Sequence, residues 1–196
     1  MKEADHISSF FGEDIDTAVH HLQEGNIILC PTDTIWGLSC DPLKKESYLR
    51  IQKIKKRATD KPLILLASSI EMLKEYVDRI PPRIENLLVY FDHPVTIIYP
   101  EAHNLPEHCL SKDGSVAIRV SKEPFSKKLI ERFGRPITST SPNLSGQPYP
   151  SHFGEISSDI FDRVDYIVRY GRNKTTGTPS QIFRFDKGGH LKYLRE

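Results

Sequence analysis

Helical and strand patterns alternate along this chain, and the alternation limits its fold more than any other feature. Residues 14–24 place apolar side chains on one helical face, and Gly25 follows in the position of a helix terminator. Residues 27–30 are an unbroken apolar run, which is typical of a strand buried on both faces. A helix followed by a buried strand predicts an α/β fold.

The alternation continues to the end of the sequence. Further helices are predicted at residues 46–55, at 69–77 with Ser69 as the cap, from Pro81-Pro82 onward, and from Pro124 to a stop at Gly134. Further strands are predicted at residues 63–67, 95–99, 115–120, 136–139, 166–170, 180–185 and 190–195, with a hairpin turn at Gly188-Gly189. We therefore expect a twisted mixed sheet, with parallel and antiparallel strands and flanking helices.

Length and composition favour one domain over residues 1–196. The formal charge is +1, so any basic site must be local. The amino terminus lacks the pattern of a signal peptide, and no apolar stretch reaches the ~20 residues of a membrane helix. We expect a cytoplasmic protein that does not enter the membrane, with Cys30, Cys40 and Cys109 as reduced core thiols.

A first polar cluster follows the first predicted strand, in the segment P-T-D-T-I-W-G-L from residue 31 to 38. The hydroxyls of Thr32 and Thr34, together with the indole of Trp36, could hold the ammonium and carboxylate of an amino acid. The alternative is a turn in which Asp and Thr satisfy their own backbone.

A second cluster places four cations within residues 55–61: Lys55, Lys56, Arg57 and Lys61. Guanidinium and ammonium groups together suit a triphosphate, because arginine binds phosphate oxygens in a bidentate fork and lysine adds a compact charge. The alternative is a solvated helix end, where cations interact favourably with the helix dipole.

Small polar residues dominate residues 140–150, which we predict to be a turn or a binding loop. Ser139, Ser141 and Asn143 could approach a phosphate or ribose closely, although a simple polar turn has the same composition. Arg119, Ser180 and Arg195 could join them, or each could be an ordinary surface residue.

Several common sites are missing from the sequence. It contains no G-x-x-x-x-G-K-[ST] loop and no G-x-G-x-x-G, so ATP would need a different cradle. The spacing of His103, His108 and Cys109 matches no strong zinc pattern. We expect no metal site built from the protein's own side chains.

Four motifs taken in order resemble the YrdC-like family. They are P-T-D-T-I-W-G-L from Pro31, K-K-R and K-P-L between Lys55 and Leu63, V-A-I-R from Val116, and S-P-N-L-S-G from Ser141. The resemblance covers about residues 14–195. It implies the short, single-domain form of the YrdC-like fold, with a concave basic cavity.

The resemblance also implies an activity. Family members are nucleotidyltransferases that form L-threonylcarbamoyladenylate and pyrophosphate from L-threonine, bicarbonate and ATP. Mg²⁺ accompanies the ATP, and there is no prosthetic group. A tRNA-modifying transferase complex then uses the product to make threonylcarbamoyladenosine, and weak direct RNA binding has been associated with the family.

Site residues follow from the matching positions. The resemblance implies catalytic roles for Lys55 and Arg57. It implies L-threonine contacts from Thr32, Thr34, Trp36, Arg119, Ser139 and Ser180, and ATP contacts from Lys55, Arg57, Lys61, Ser115, Ser141, Asn143, Tyr149 and Arg195. The sequence departs from the usual pattern at Trp36, where tyrosine is common, at Pro142, where alanine is common, and at Leu66, where longer relatives carry histidine.

One rival hypothesis comes from a different class of protein. Clusters of lysine and arginine bind phosphate without catalysis, so the chain could be an RNA-binding module with a basic concave face. That hypothesis predicts steeply salt-dependent RNA binding and no turnover of small molecules.

Overall fold

A computed structural model describes residues 2–175, 177–186 and 190–195, with the backbone alone for residues 2–10 and 195. The helices are α1 Lys2–Glu24, α2 Lys45–Ile54, α3 Ile70–Lys74, α4 Pro82–Tyr90, α5 Pro124–Phe133 and α6 Ser158–Phe161, with short 3-10 turns at Glu107–Cys109 and Phe153–Glu155. The strands are β1 Ile28–Cys30, β2 Gly37–Ser39, β3 Ile64–Ala67, β4 Val95–Tyr99, β5 Val116–Val120, β6 Ile137–Ser139, β7 Tyr166–Ile167, β8 Gln181–Phe185 and β9 Leu191–Arg195.

The strands form two hydrogen-bonded sheets. The larger has the order β6-β3-β5-β4-β8-β9, and the smaller has the order β2-β1-β7. In the larger sheet β3–β5 and β4–β8 pair in parallel, whereas β4–β5 and β8–β9 pair antiparallel. Leu38 and Thr140 join the two sheets, because the Leu38 N–H donates to the Thr140 carbonyl at 2.8 Å. The predicted mixed α/β class is confirmed, with the sheet divided in two.

Helix boundaries follow the capping residues in the sequence. The Ser69 hydroxyl accepts the Met72 N–H at 3.1 Å and begins α3. The Glu123 carboxylate accepts the Ser126 N–H at 2.7 Å at the start of α5, and Gly134 ends that helix with a φ of 80°.

Four elements differ from the sequence prediction. Helix α1 begins at Lys2 rather than near residue 14, and its Phe11 ring packs on Phe125 and Tyr170 with centroids 5.5 and 5.0 Å away. Helix α3 stops at Lys74, three residues early, and β7 covers only Tyr166–Ile167. Strand β2 has no counterpart among the predicted strands, because three residues carry too little periodicity to show a strand. The predicted turn at Gly188-Gly189 lies outside the described residues.

Two apolar clusters cover the sheets. One packs α1 and α5 against the smaller sheet, through residues such as Ile15, Leu22 and Phe125. The other packs α3 and α4 against the larger sheet, through Leu73, Ile84 and Ile97. The three cysteines are buried and unpaired, as predicted, and burial raises the pKa of the Cys30 thiol to about 12. Within the described part of the chain, no helix has the length and apolar character needed to cross a bilayer.

Candidate active site

A cavity of about 890 Å³ lies on one face of the larger sheet. Its floor is apolar and comes from four neighbouring strands, through Ile64, Ala117, Ile98 and Ile182. Helices do not cover this part of the sheet, and the four side chains are only half-buried. The walls come from loops at the strand ends, where α/β proteins usually bind ligands.

One wall presents hydroxyl groups around a buried arginine. The Arg119 guanidinium, on β5, donates from Nη2 to the Thr34 hydroxyl at 3.2 Å and lies 3.5 Å from the Thr32 hydroxyl. Thr32 and Thr34 also share a hydrogen bond of 2.9 Å. Asp33 pairs with Arg119 at 3.1 Å, and both side chains are less than 10% exposed. This wall therefore holds an arginine in a fixed orientation.

Two further side chains, those of Ser180 and Trp36, belong to the same wall of the cavity. Ser180 precedes β8 and shares a hydrogen bond of 2.7 Å with Thr96 on β4, and both hydroxyls are buried. Trp36 is 1% exposed, lines the cavity and packs against Phe153 with ring centroids 4.8 Å apart. The indole therefore forms a rigid side of the cavity.

The opposite wall begins with Lys55, at the end of α2. Its ammonium donates to the backbone carbonyls of Ser141 and Asn143, the latter at 2.7 Å, and the Lys55 carbonyl accepts the Ser145 N–H at 2.8 Å. Burial lowers the pKa of Lys55 to about 8, and the neighbouring charge of Arg57 adds to the shift. Lys55 thus holds the loop of residues 141–145 against the cavity.

Arg57 and Lys61 belong to one tight loop on this wall. The Arg57 guanidinium donates to the Lys61 carbonyl at 2.9 Å and to the Pro62 carbonyl at 3.1 Å. Asn143 shapes the facing loop, since its amide donates to the Gln147 carbonyl at 2.6 Å. Arg57 and Asn143 therefore each lie on a loop whose backbone is stabilised by hydrogen bonds from their own side chains.

The structure brings most of the predicted site residues together. Those lining the cavity are Lys55, Arg57, Lys61, Ser141, Asn143 and Tyr149 from the ATP set, and Thr34, Trp36, Arg119, Ser139 and Ser180 from the threonine set. Thr32 lies directly behind, hydrogen-bonded to the Thr34 hydroxyl and to the Ile35 carbonyl.

One predicted ATP residue does not join this lining, and the side chain of another is not described. The Ser115 side chain is buried and donates to the Asp113 carboxylate at 2.6 Å, so the structure does not bring its hydroxyl to the cavity. The side chain of Arg195 lies outside the described residues. Leu194, its neighbour on β9, does line the cavity.

Three residues of the site were not among those that the family resemblance implied. Asp33 lies within the first motif, but an aspartate in a turn gave no sign of its distant partner Arg119. Thr96 on β4 shares a hydrogen bond with Ser180, which precedes β8. This contact becomes visible only once β4 and β8 are known to pair. Lys56 lines the cavity between Lys55 and Arg57.

Positive charge dominates the lining. It contains five cationic side chains and one acidic side chain: Lys55, Lys56, Arg57, Lys61, Arg119 and Asp60. The lining of the cavity is therefore basic, although the net charge of the whole chain is only +1. Within the described residues, no group of three His, Cys, Asp or Glu side chains could hold a metal ion.

Comparisons with known proteins find relatives that match most of the chain. The family model Sua5_yciO_yrdC, described as telomere recombination, matches residues 20–196. The threonylcarbamoyl-AMP synthase of Vibrio cholerae is 36% identical over 175 residues, which is 87% of this chain and 92% of the relative. The protein of the same name from Xanthomonas euvesicatoria is 33% identical over 172 residues, 86% of this chain and 91% of the relative.

A solved structure extends the comparison. The crystal structure of P. abyssi Sua5 complexed with L-threonine has a TM-score of 0.80 and 29% sequence identity. The match covers 90% of this chain but 52% of the P. abyssi chain, so this chain corresponds to about half of that protein. With the family model matching nearly the whole sequence, the chain belongs to the Sua5/YciO/YrdC family.

Proposed function

We propose that this chain is a threonylcarbamoyl-AMP synthase, which joins L-threonine, bicarbonate and ATP into L-threonylcarbamoyladenylate and releases pyrophosphate. The observation that carries the proposal is one cavity with two chemically different walls. A buried arginine among hydroxyls faces a set of cations across an apolar floor. Curated relatives with this name are 33% and 36% identical over most of the chain.

The hydroxyl wall suits L-threonine. The Arg119 guanidinium can bind the carboxylate, because it is held by Asp33 and Thr34 and needs no reorganisation. Ser180 and Thr34 offer hydroxyls for the ammonium and the side chain of the amino acid, and Trp36 limits the size of the pocket. P. abyssi Sua5, a structural relative, was crystallised as a complex with L-threonine, which supports L-threonine as the ligand.

The cationic wall suits the triphosphate of ATP. Arg57 and Lys61 supply charge beside the loop of residues 141–145, whose conformation Lys55 maintains. Tyr149 and the apolar floor provide flat and apolar surface for the nucleoside. Mg²⁺ would enter as the MgATP substrate, bound to the phosphate oxygens.

The reaction needs no protein nucleophile. The neutral amine of threonine adds to the carbon of CO₂ derived from bicarbonate, loses a proton and becomes a carbamate. A carbamate oxygen then forms a bond to the α-phosphorus of ATP, while the bond from that phosphorus to the bridging oxygen breaks and pyrophosphate leaves. The protein contributes positioning, and its cations offset the charge that grows on the leaving phosphates.

We further propose that the chain acts as one cytoplasmic domain and that a tRNA-modifying transferase complex consumes its product. The rival RNA-binding hypothesis draws on the same cations. However, these cations line a cavity that also holds buried hydroxyls and a fixed arginine, which RNA backbone binding does not require. This arrangement favours the enzyme.

Threonine-dependent release of pyrophosphate tests the proposal directly. Purified protein with MgATP and bicarbonate should release pyrophosphate when L-threonine is added. It should not do so with L-valine, which lacks the hydroxyl. Release that does not depend on threonine would contradict the proposal. Salt-dependent RNA binding without any turnover would support the rival hypothesis instead.

A further inference from the structure

Lys56 has an unusual backbone conformation for a lysine. Its φ is 49°, in the left-handed region that glycine and asparagine favour. The other non-glycine residue with positive φ in the described chain is Asn104, whose side chain tolerates this region. The backbone of Lys56 is therefore strained, and this residue lies at the edge of the cavity.

The strain comes from the way helix α2 ends. The Lys56 N–H donates to the Lys53 carbonyl at 3.1 Å, and the Arg57 N–H donates to the Gln52 carbonyl at 2.9 Å. These two bonds form a Schellman motif, which places a left-handed residue directly after the helix cap. Lys56 occupies that position.

The same motif ends helix α1 with the expected residue. There the Gly25 N–H donates to the Leu22 carbonyl at 3.0 Å, and the Asn26 N–H donates to the His21 carbonyl at 2.9 Å. Gly25 has a φ of 82°. The chain thus uses glycine where the motif is only structural and lysine where it borders the cavity.

The Lys56 side chain is exposed and directed to no protein partner. Among the described residues, no carboxylate or carbonyl pairs with its ammonium, whereas the neighbouring Lys55 ammonium is buried against the loop of residues 141–145. Lys56 lines the cavity beside Arg57 and Lys61. Its charge is therefore available to an anion at the solvent side of the cationic wall.

We infer that Lys56 is an additional phosphate-binding residue, which contacts the triphosphate of ATP and the pyrophosphate product from the solvent side. The left-handed backbone places the Lys56 side chain over the cavity. It lowers the stability of the fold, as strained backbone conformations at functional sites commonly do. This inference deepens the proposed function and rests on it, because the anion is the nucleotide tail.

Three variants of Lys56 and one control separate a binding role from a structural one. Lys56→Gly removes both the charge and the strain, Lys56→Ala removes the charge alone, and Lys56→Arg keeps the charge. Lys53→Ala removes an exposed lysine of the same helix that does not line the cavity.

Calorimetric titration with MgATP, with pyrophosphate and with L-threonine gives the affinities, and thermal unfolding gives the stabilities. We expect Lys56→Gly and Lys56→Ala to bind MgATP and pyrophosphate about threefold to tenfold more weakly, with unchanged binding of L-threonine. Lys56→Arg and Lys53→Ala should bind like the wild type. The Tm of Lys56→Gly should exceed that of Lys56→Ala by about 1–3 °C.

Unchanged affinity of the glycine and alanine variants for both phosphate ligands would overturn the inference. If the Tm of Lys56→Gly is no higher than that of Lys56→Ala, the left-handed conformation of Lys56 does not lower the stability of the fold. Failure of the proposed function has a different signature: the wild-type protein itself would bind neither MgATP nor pyrophosphate.

Discussion

The ammonium group of Lys55 lies 2.7 Å from the backbone carbonyl of Asn143, across 88 residues of sequence. It also donates to the Ser141 carbonyl, so a single side chain connects the end of α2 to the loop that faces it. The two motifs that carry these residues therefore form one wall through a direct bond. Any ligand of that loop depends on the charge and position of Lys55.

Replacement of Lys55 by methionine tests this connection. The loop carbonyls lose their donor, but the cost of burying the charge disappears as well. We therefore expect the free energy of unfolding to change by no more than about 1–2 kcal/mol. Threonine-dependent release of pyrophosphate should fall by about a hundredfold or more. Lys53→Met, on an exposed site of the same helix, is the control, and near-normal turnover in Lys55→Met would refute the role.

The lowered pKa of Lys55 predicts a proton uptake when ATP binds. With a pKa of about 8 in the unliganded protein, about half of the Lys55 side chains are neutral at pH 8. Bound phosphates favour the charged form and raise that pKa, so binding at pH 8 should take up about half a proton per ATP. Because the bound pKa is the higher one, affinity should fall as pH rises through 8.

Calorimetry in two buffers of different ionisation enthalpy measures this uptake. At pH 6.5 Lys55 is already protonated, so its contribution should vanish. Lys55→Met should show no such contribution at either pH. An identical proton balance in wild type and Lys55→Met at pH 8 would contradict the prediction.

The buried pair of Asp33 and Arg119 predicts strong coupling between two substitutions. Asp33→Leu leaves a guanidinium without its counter-charge, and Arg119→Met leaves a carboxylate without one. Each should lower the free energy of unfolding by about 3–5 kcal/mol. The double variant should lose much less than the sum, because neither charge remains buried alone.

Urea denaturation of the four proteins measures this coupling. The double variant should recover stability yet show no threonine-dependent release of pyrophosphate, because Arg119 is missing. If the loss in the double variant equals the sum of the two single losses, the interaction between Asp33 and Arg119 does not stabilise the fold, despite the distance of 3.1 Å between them.

The sequence predicted many of the residues that line the cavity, but it did not predict the contacts between them. Residues such as Thr34 and Ser141 belong to short motifs whose order is informative even without a structure. The contacts of Asp33 with Arg119 and of Thr96 with Ser180 were not predictable in that way. The first depends on how the loop after β1 meets β5 of the other sheet, and the second depends on the pairing of β4 with β8. Lys56 was counted in the cationic cluster, but its left-handed conformation was not predicted, since a lysine gives no sequence signal of one.

Local patterns explain the other differences. Helix α5 was predicted with its observed bounds because proline opens it and glycine closes it. Strand β2 has three residues and no alternation, so its pairing with β1 determines its structure more than its own propensity does. Phe11 lies before the predicted start of α1 and packs against Phe125 and Tyr170, a tertiary contact that the local sequence pattern does not show.

Gly37 provides a steric test of the hydroxyl wall. A Cβ atom at this position would lie 2.9 Å from the Ser139 hydroxyl and 3.4 Å from the Thr32 methyl group. Gly37→Ala should therefore displace Ser139 and lower threonine-dependent turnover by about tenfold to a hundredfold, with a loss of about 1–3 kcal/mol in stability. Kinetic assays and urea denaturation give both values.

Gly12 is the matched control for this substitution, because a Cβ atom there would meet nothing within 4 Å. It lies within α1, so Gly12→Ala should raise the free energy of unfolding by about 0.5–1 kcal/mol and leave turnover unchanged. A second substitution identifies the clash in Gly37→Ala. Adding Ser139→Ala removes the hydroxyl that the new methyl group would strike, and it should restore part of the lost stability. If the double variant is no more stable than Gly37→Ala, the contact between Gly37 and Ser139 does not limit this wall.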